Sequence, residues 1–185
     1  MITKSDITKL FNIWGDITIN DINGSPIVDV EGSVEPYTQS FHIEKLPFKF
    51  GKVESFIFND VGLTTLIGSP QDVTSTFNVV NNKLSTLEGG PKTVGTYYFC
   101  NDNPLMNLKG APDTVGAEFQ VSWQPELPLL SIVKYNDVYV FNNRRISNII
   151  RKYCKNARGD KPLRQAIIQC QKELLDAGFK GNATL

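Results

Sequence analysis

The sequence predicts an α+β fold: a short β-solenoid sheet with an N-terminal capping helix and two C-terminal helices. Three observations support this expectation. Phe77, Val79, Asn82, Leu84, Leu87, Gly89, Pro91 and Val94 recur 21 residues later as Tyr98, Cys100, Asn103, Leu105, Leu108, Gly110, Pro112 and Val115. An apolar stripe opens the chain, and two helical stripes close it. A repeat this short implies stacked coils that support their neighbours, so the natural product is an extended surface and not one enclosed pocket.

Along residues 1–52 the pattern predicts a cap and degenerate β coils. Ser5 or Asp6 stands where a helix N-cap is wanted, and Ile7, Leu10, Phe11 and Trp14 share one helical face over the open end of the stack. Ile17 and Ile19, and then Ile27 or Val28 with Val30, flank Asn23-Gly24, a pair that tolerates positive φ and favours a tight hairpin. Val34, Phe41 and Ile43 suggest a further strand, and Leu46, Phe48 and Phe50 a degenerate coil.

Residues 53–143 hold the stack and its terminal strands. An earlier copy of the repeat reads Phe56, Phe58, Leu63, Leu66, Gly68, Pro70 and Val73, with Val61 in the asparagine slot. Within each copy the aromatic and the residue two places on face inward, as a period of two requires. Asn82 and Asn103 fall where the chain bends, and their amides can satisfy backbone groups that the bend leaves unpaired. Proline on each return arm disfavours a long helix there. A fourth copy begins at Phe119 and Val121 but lacks the asparagine, and its leucines, Leu127 and Leu130, arrive one residue late. Terminal coils are expected to be atypical. Val133, Tyr135, Val138, Val140 and Phe141 supply the last strands.

Residues 144–185 read as a basic helical element packed on the same domain. Ile146, Ile149, Ile150 and Tyr153 form one stripe; Leu163, Ala166, Ile167, Cys170 and Leu174 form the second, with Asp160 as cap, Pro162 in the first turn and Gly178 at the C-terminus.

Composition narrows the class. The 185 residues are 41% hydrophobic and 21% charged. No run of 18 apolar residues occurs, and the opening MITKSDITKLF lacks a secretory pattern, so a cytoplasmic protein is expected. Cys100, Cys154 and Cys170 are odd in number and widely spaced, which suits reduced buried thiols. Asn182-Ala183-Thr184 matches a glycosylation triplet by chance. The zero net charge conceals an asymmetry: residues 1–143 carry 9 basic and 16 acidic side chains, residues 144–185 carry 10 and 3.

The spacing Phe77-x-Val79-x-x-Asn82-x-Leu84-x-x-Leu87, repeated from Tyr98 to Leu108, resembles the leucine-rich-repeat signature. The Gly-x-Pro extension, as in Gly89-Gly90-Pro91, is similar to a compact NxLxxLxGxP class found in bacteriophage-encoded and bacterial proteins of unknown function, and the closing Leu174–Ala183 resembles the tails of such phage proteins. The resemblance covers about residues 53–130 and departs from the pattern at Val61 and near Trp123. It implies a non-enzymatic protein-protein interaction module, with a host factor as candidate partner and the host-cell cytoplasm as its location.

Little in the sequence points to catalysis, a cofactor or a metal. His42 is the only histidine and lies between Phe41 and Ile43, so the alternation turns it to solvent; the cysteines lack ligand spacing. Asp102, Asp113 and Glu118 show no spacing that assembles a hydrolase. A recognition surface is better motivated. Ile57, Asn78, Phe99 and Gln120 form an outward lateral row, with Ser55, Thr76, Tyr97 and Glu118 two residues earlier on the same face, and the Tyr97/Phe99 pair suits an interface anchor. The rival reading is nucleic-acid-backbone contact through the basic helices, with Arg144, Arg151, Lys152, Lys155 and Arg158 as phosphate contacts.

Overall fold

A computed structural model describes residues 2–37 and 42–185. The strand expectation at Phe41 lies outside the described residues; Val34 sits in a strand, and Ile43 is buried in irregular chain. A helix, α1 (Lys4–Thr8), leads into strands β1 (Phe11–Ile22), β2 (Ser25–Pro36) and β3 (Lys49–Ile57). The coils then contribute paired short strands: β4 (Asp72–Val73) and β5 (Phe77–Asn78), β6 (Thr93–Val94) and β7 (Tyr97–Phe99), β8 (Thr114–Val115) and β9 (Glu118–Ser122). A 3₁₀ turn (Leu130–Lys134) precedes β10 (Asp137–Phe141), followed by helices α2 (Arg144–Tyr153), α3 (Lys155–Arg158) and α4 (Leu163–Asp176).

The strands form a leucine-rich-repeat-like solenoid. One parallel ladder runs β3-β5-β7-β9-β10 and a second runs β3-β4-β6-β8, so each coil carries two short strands with a bend between them. The inward row is continuous: Val34 pairs with Phe56, then Phe77, Tyr98, Phe119 and Val138 follow in register, all fully buried. Ring stacking reinforces it, with centroids 5.4 Å apart for Phe56–Phe77, 5.0 Å for Phe77–Tyr98, 5.1 Å for Tyr98–Phe119 and 4.9 Å for Phe119–Tyr135. Leu63, Leu66, Leu84, Leu87, Leu105 and Leu108 fill the rest of the interior. Such rings and leucines each contribute roughly 1.5–3 kcal/mol on burial, which makes the repeat itself the stabilising unit.

The bends behave as the asparagine slots require. Asn82 Oδ1 accepts from the Gly62 and Leu63 N–H groups, both at 2.9 Å, while its Nδ2 donates to the carbonyls of Phe58, Val79 and Val80. Asn103 repeats the arrangement one coil on, accepting from Leu84 N–H and donating to Val79, Cys100 and Asn101 carbonyls. At the return turns Gly68, Gly89 and Gly110 have φ of 96°, 89° and 82°, and a Cβ on Gly110 would stand 2.3 Å from the Leu87 carbonyl oxygen. Only glycine fits that approach.

The fourth coil recovers its missing asparagine from the far end of the chain. Asn182, fully buried, donates to the Gln124 carbonyl at 2.8 Å and the Leu127 carbonyl at 2.9 Å, and accepts from Trp123 Nε1 at 3.1 Å. The tail is thus part of the last coil, and the burial of Asn182 leaves no room for a glycan on it.

Both ends differ from the repeat. At the N-terminal end, Thr3 and not Ser5 or Asp6 caps α1: Thr3 and Asp6 form a reciprocal capping box. The helix stops at Thr8, so Phe11 and Trp14 lie on β1; Phe11 packs against Phe48, Phe50 and Phe58, but Trp14 is 67% exposed instead of covering the stack. A long β1/β2 hairpin turns at Asn23-Gly24, with φ of 55° and 78° as the pair suggests. Segment 43–50 runs beside the first clear coil, bonding to Val61 and Gly68 carbonyls, as a degenerate coil should.

At the C-terminal end, α2 packs on β10 and α4 on the 3₁₀ turn and α2. The predicted stripes are inward: Ile146, Ile149 and Ile150 on α2, and Ala166, Cys170 and Leu174 on α4, are buried. Asn143 caps α2. Asp160 does not cap α4, whose N-cap is Pro162 without a side-chain bond, because the chain between the helices is occupied by the extra turn α3. Gly178 at φ 89° closes α4.

Candidate functional site

The two outward rows named from the sequence are real rows. Ile57, Asn78, Phe99 and Gln120 are successive ladder partners, and the row continues to Tyr139 on β10. Tyr97, Glu118 and Asp137 are likewise in register. Ser55 and Thr76 precede them on the same face, and Thr76 links the coils through its carbonyl, which accepts from Phe56 N–H.

Along this face the character changes. Ile57, Asn78 and Thr76 are half-buried, and Asn78 turns its Oδ1 back to the Val80 N–H at 3.1 Å. Beyond them the surface becomes aromatic. Tyr97, 41% exposed, stacks on half-buried Phe99 with centroids 5.4 Å apart. Two strands on, Tyr139, 38% exposed, meets Phe141 edge to face at 4.7 Å. Between them β9 presents Glu118 and Gln120, joined at 2.5 Å by a Gln120 Nε2 to Glu118 Oε1 bond. Two aromatic walls therefore stand about 9.5 Å apart, twice the strand spacing, over a polar floor.

Tyr139 and Phe141 were not assigned to this face from sequence. Their alternation marks a strand, but Val138 follows its ladder partner Phe119 by 19 residues, so the 21-residue period cannot place them.

The basic helices are less free than their composition implies. Arg151 makes a bidentate pair with Asp137, Nε to Oδ1 at 2.9 Å and the terminal nitrogen to Oδ2 at 2.7 Å. Burial pushes the Asp137 carboxyl up, but the hydrogen bonds from Arg151 and from the Val138 N–H outweigh it and hold the group below its ordinary range. Lys152 bonds Glu173 at 2.8 Å, which together with the Tyr153 hydroxyl lowers the Glu173 pKa. Arg158 donates to the Lys161 carbonyl. Arg144 and Lys155 are exposed. Of the five cations, Arg151, Lys152 and Arg158 are engaged within the molecule, and all but Arg158 are exposed.

Potential catalytic groups are scattered. His42 is exposed, 3.3 Å from Glu44. Asp102 accepts from the Ser122 hydroxyl, Glu118 accepts from Gln120, and Asp113 acts electrostatically on Lys134, so the three acids have different partners. Among the described residues no group of three or more His, Cys, Asp or Glu side chains is placed to hold a metal ion, and no helix is long and apolar enough to cross a membrane. The cysteines are buried and unpaired, with burial raising Cys154 and Cys170 to about 12.

The fold and this face define a class: a leucine-rich-repeat-like solenoid consistent with a scaffold or binding module. Compared with family models, curated proteins and solved structures, the chain matches none of them.

Proposed function

We propose that the protein is a non-enzymatic cytoplasmic recognition module that binds another protein through the outward face of β7, β9 and β10. The observation that carries this reading is the pair of aromatic walls, Tyr97/Phe99 and Tyr139/Phe141, each an exposed tyrosine against a half-buried phenylalanine, held in register on one ladder. Aromatics bury large areas at small entropic cost, and a preformed sheet adds little ordering cost on association. A phage origin and a host-factor partner rest on the repeat and tail resemblance alone. Nucleic-acid-backbone binding has weaker support, since Arg151, Lys152 and Arg158 already have partners within the molecule.

The test is Phe99→Asp, which places a charge in the first wall while leaving the interior row intact. Partner capture from a host-cell lysate should be lost while the thermal midpoint stays near that of the parent. An unchanged capture profile rejects the face.

A further inference from the structure

A second surface lies at the opposite end of the sheet. β1 is an edge strand of 12 residues, and among the described residues β2 is its one strand partner. A free edge offers a row of unpaired backbone N–H and C=O groups, normally blunted by shortness, proline, lysine or a covering element. β1 is long and contains neither proline nor lysine. It also carries apolar side chains in solvent: Trp14 is 67% exposed and Ile22 53%.

Charge decides the occupant. Residues 11–36 contain five acids and no lysine or arginine. Asp16 lies directly across from Glu31, an arrangement that like charges disfavour. A second copy of β1 would set these acids against each other. A cationic strand would relieve them. We propose that the β1 edge accepts an extended, lysine- or arginine-bearing segment of a partner protein as an added strand, with Trp14 as its apolar anchor and Asp16 contributing the charge preference. This mode takes affinity from main-chain hydrogen bonds and selectivity from alternate side chains. It is independent of the aromatic face on β7, β9 and β10.

The experiment titrates the intact protein with strand-length peptides alternating valine with lysine, threonine or glutamate, reading binding by calorimetry and β1 amide protection by hydrogen exchange. The lysine peptide is expected to bind most tightly and to protect β1 amides. Its N-methylated form, which cannot pair, should not bind. Asp16→Asn should weaken it about threefold, and Trp14→Ser should weaken it further; both positions are exposed, so folding is preserved. Equal or tighter binding of the glutamate peptide overturns the proposal, as does lysine-peptide binding without protection of β1. Light scattering that shows a β1-mediated dimer of the free protein, abolished by Trp14→Ser, assigns the edge to a second copy and also overturns it.

Discussion

Replacing Asn182 with alanine should destabilise the whole protein, although the residue lies three positions from the last residue of the sequence. The substitution removes the acceptor of the Trp123 indole N–H and the donor to the Gln124 and Leu127 carbonyls, in a side chain that is 1% exposed. Three buried hydrogen bonds at about 1 kcal/mol each give a loss of about 3 kcal/mol. For a chain of this size that lowers the thermal midpoint by about 6–12 °C. Asn182→Asp should be at least as harmful at neutral pH, because a carboxylate would face two carbonyl oxygens where the amide donated. Differential scanning calorimetry gives the midpoint. Trp123 emission, read in a Trp14→Phe background to remove the exposed indole, should shift to the red as the last coil loosens. A midpoint within about 2 °C of the parent would refute the idea that the tail completes the coil.

Other consequences can be tested on the same preparations. Asn82→Ala leaves two N–H groups and up to three carbonyls without their partner, so denaturant titration should show a loss of about 3–5 kcal/mol, with Asn103→Ala close behind. Tyr98→Phe should be neutral or stabilising by about 1 kcal/mol, because the buried Tyr98 hydroxyl has no hydrogen-bond partner among the described residues; a clear loss in urea titration would mean that the hydroxyl is satisfied. Acid should weaken the C-terminal cap. Asp137 and Glu173 have lowered carboxyl pKa values in the folded state, so their contribution is complete above about pH 5, clear of the unfolded values, and disappears as pH falls through the folded values. Arg151→Met should therefore reduce the acid-dependent part of the unfolding free energy between pH 6 and pH 3.

Local repetition made the interior legible. Phe77, Tyr98 and their leucines sit at fixed separations along the chain, and ladder pairing simply turns that separation into contact. The second ladder was hidden because β4, β6 and β8 are two residues each, too short for any periodic signal. The helix cap at the start falls two or three residues before the expected Ser5 or Asp6, since Thr3 also has a capping side chain and the reciprocal Thr3–Asp6 geometry decides among them. Trp14 fitted a helical stripe that the strand from Phe11 replaced. The outward rows followed from alternation alone, while Tyr139 and Phe141 needed the 19-residue step to be seen. Asn182 was out of reach, because nothing in its neighbourhood announces a partner 58 residues away.

The asparagine of the final coil has a consequence for the order of events during synthesis. Each middle coil can close as soon as about one further repeat has left the ribosome, since its bonds join positions some twenty residues apart. Such short-range closure favours rapid, stepwise zippering. The last coil must wait with its carbonyls open until residue 182 arrives, so the seam between solenoid and helices is sealed only after the middle coils have closed.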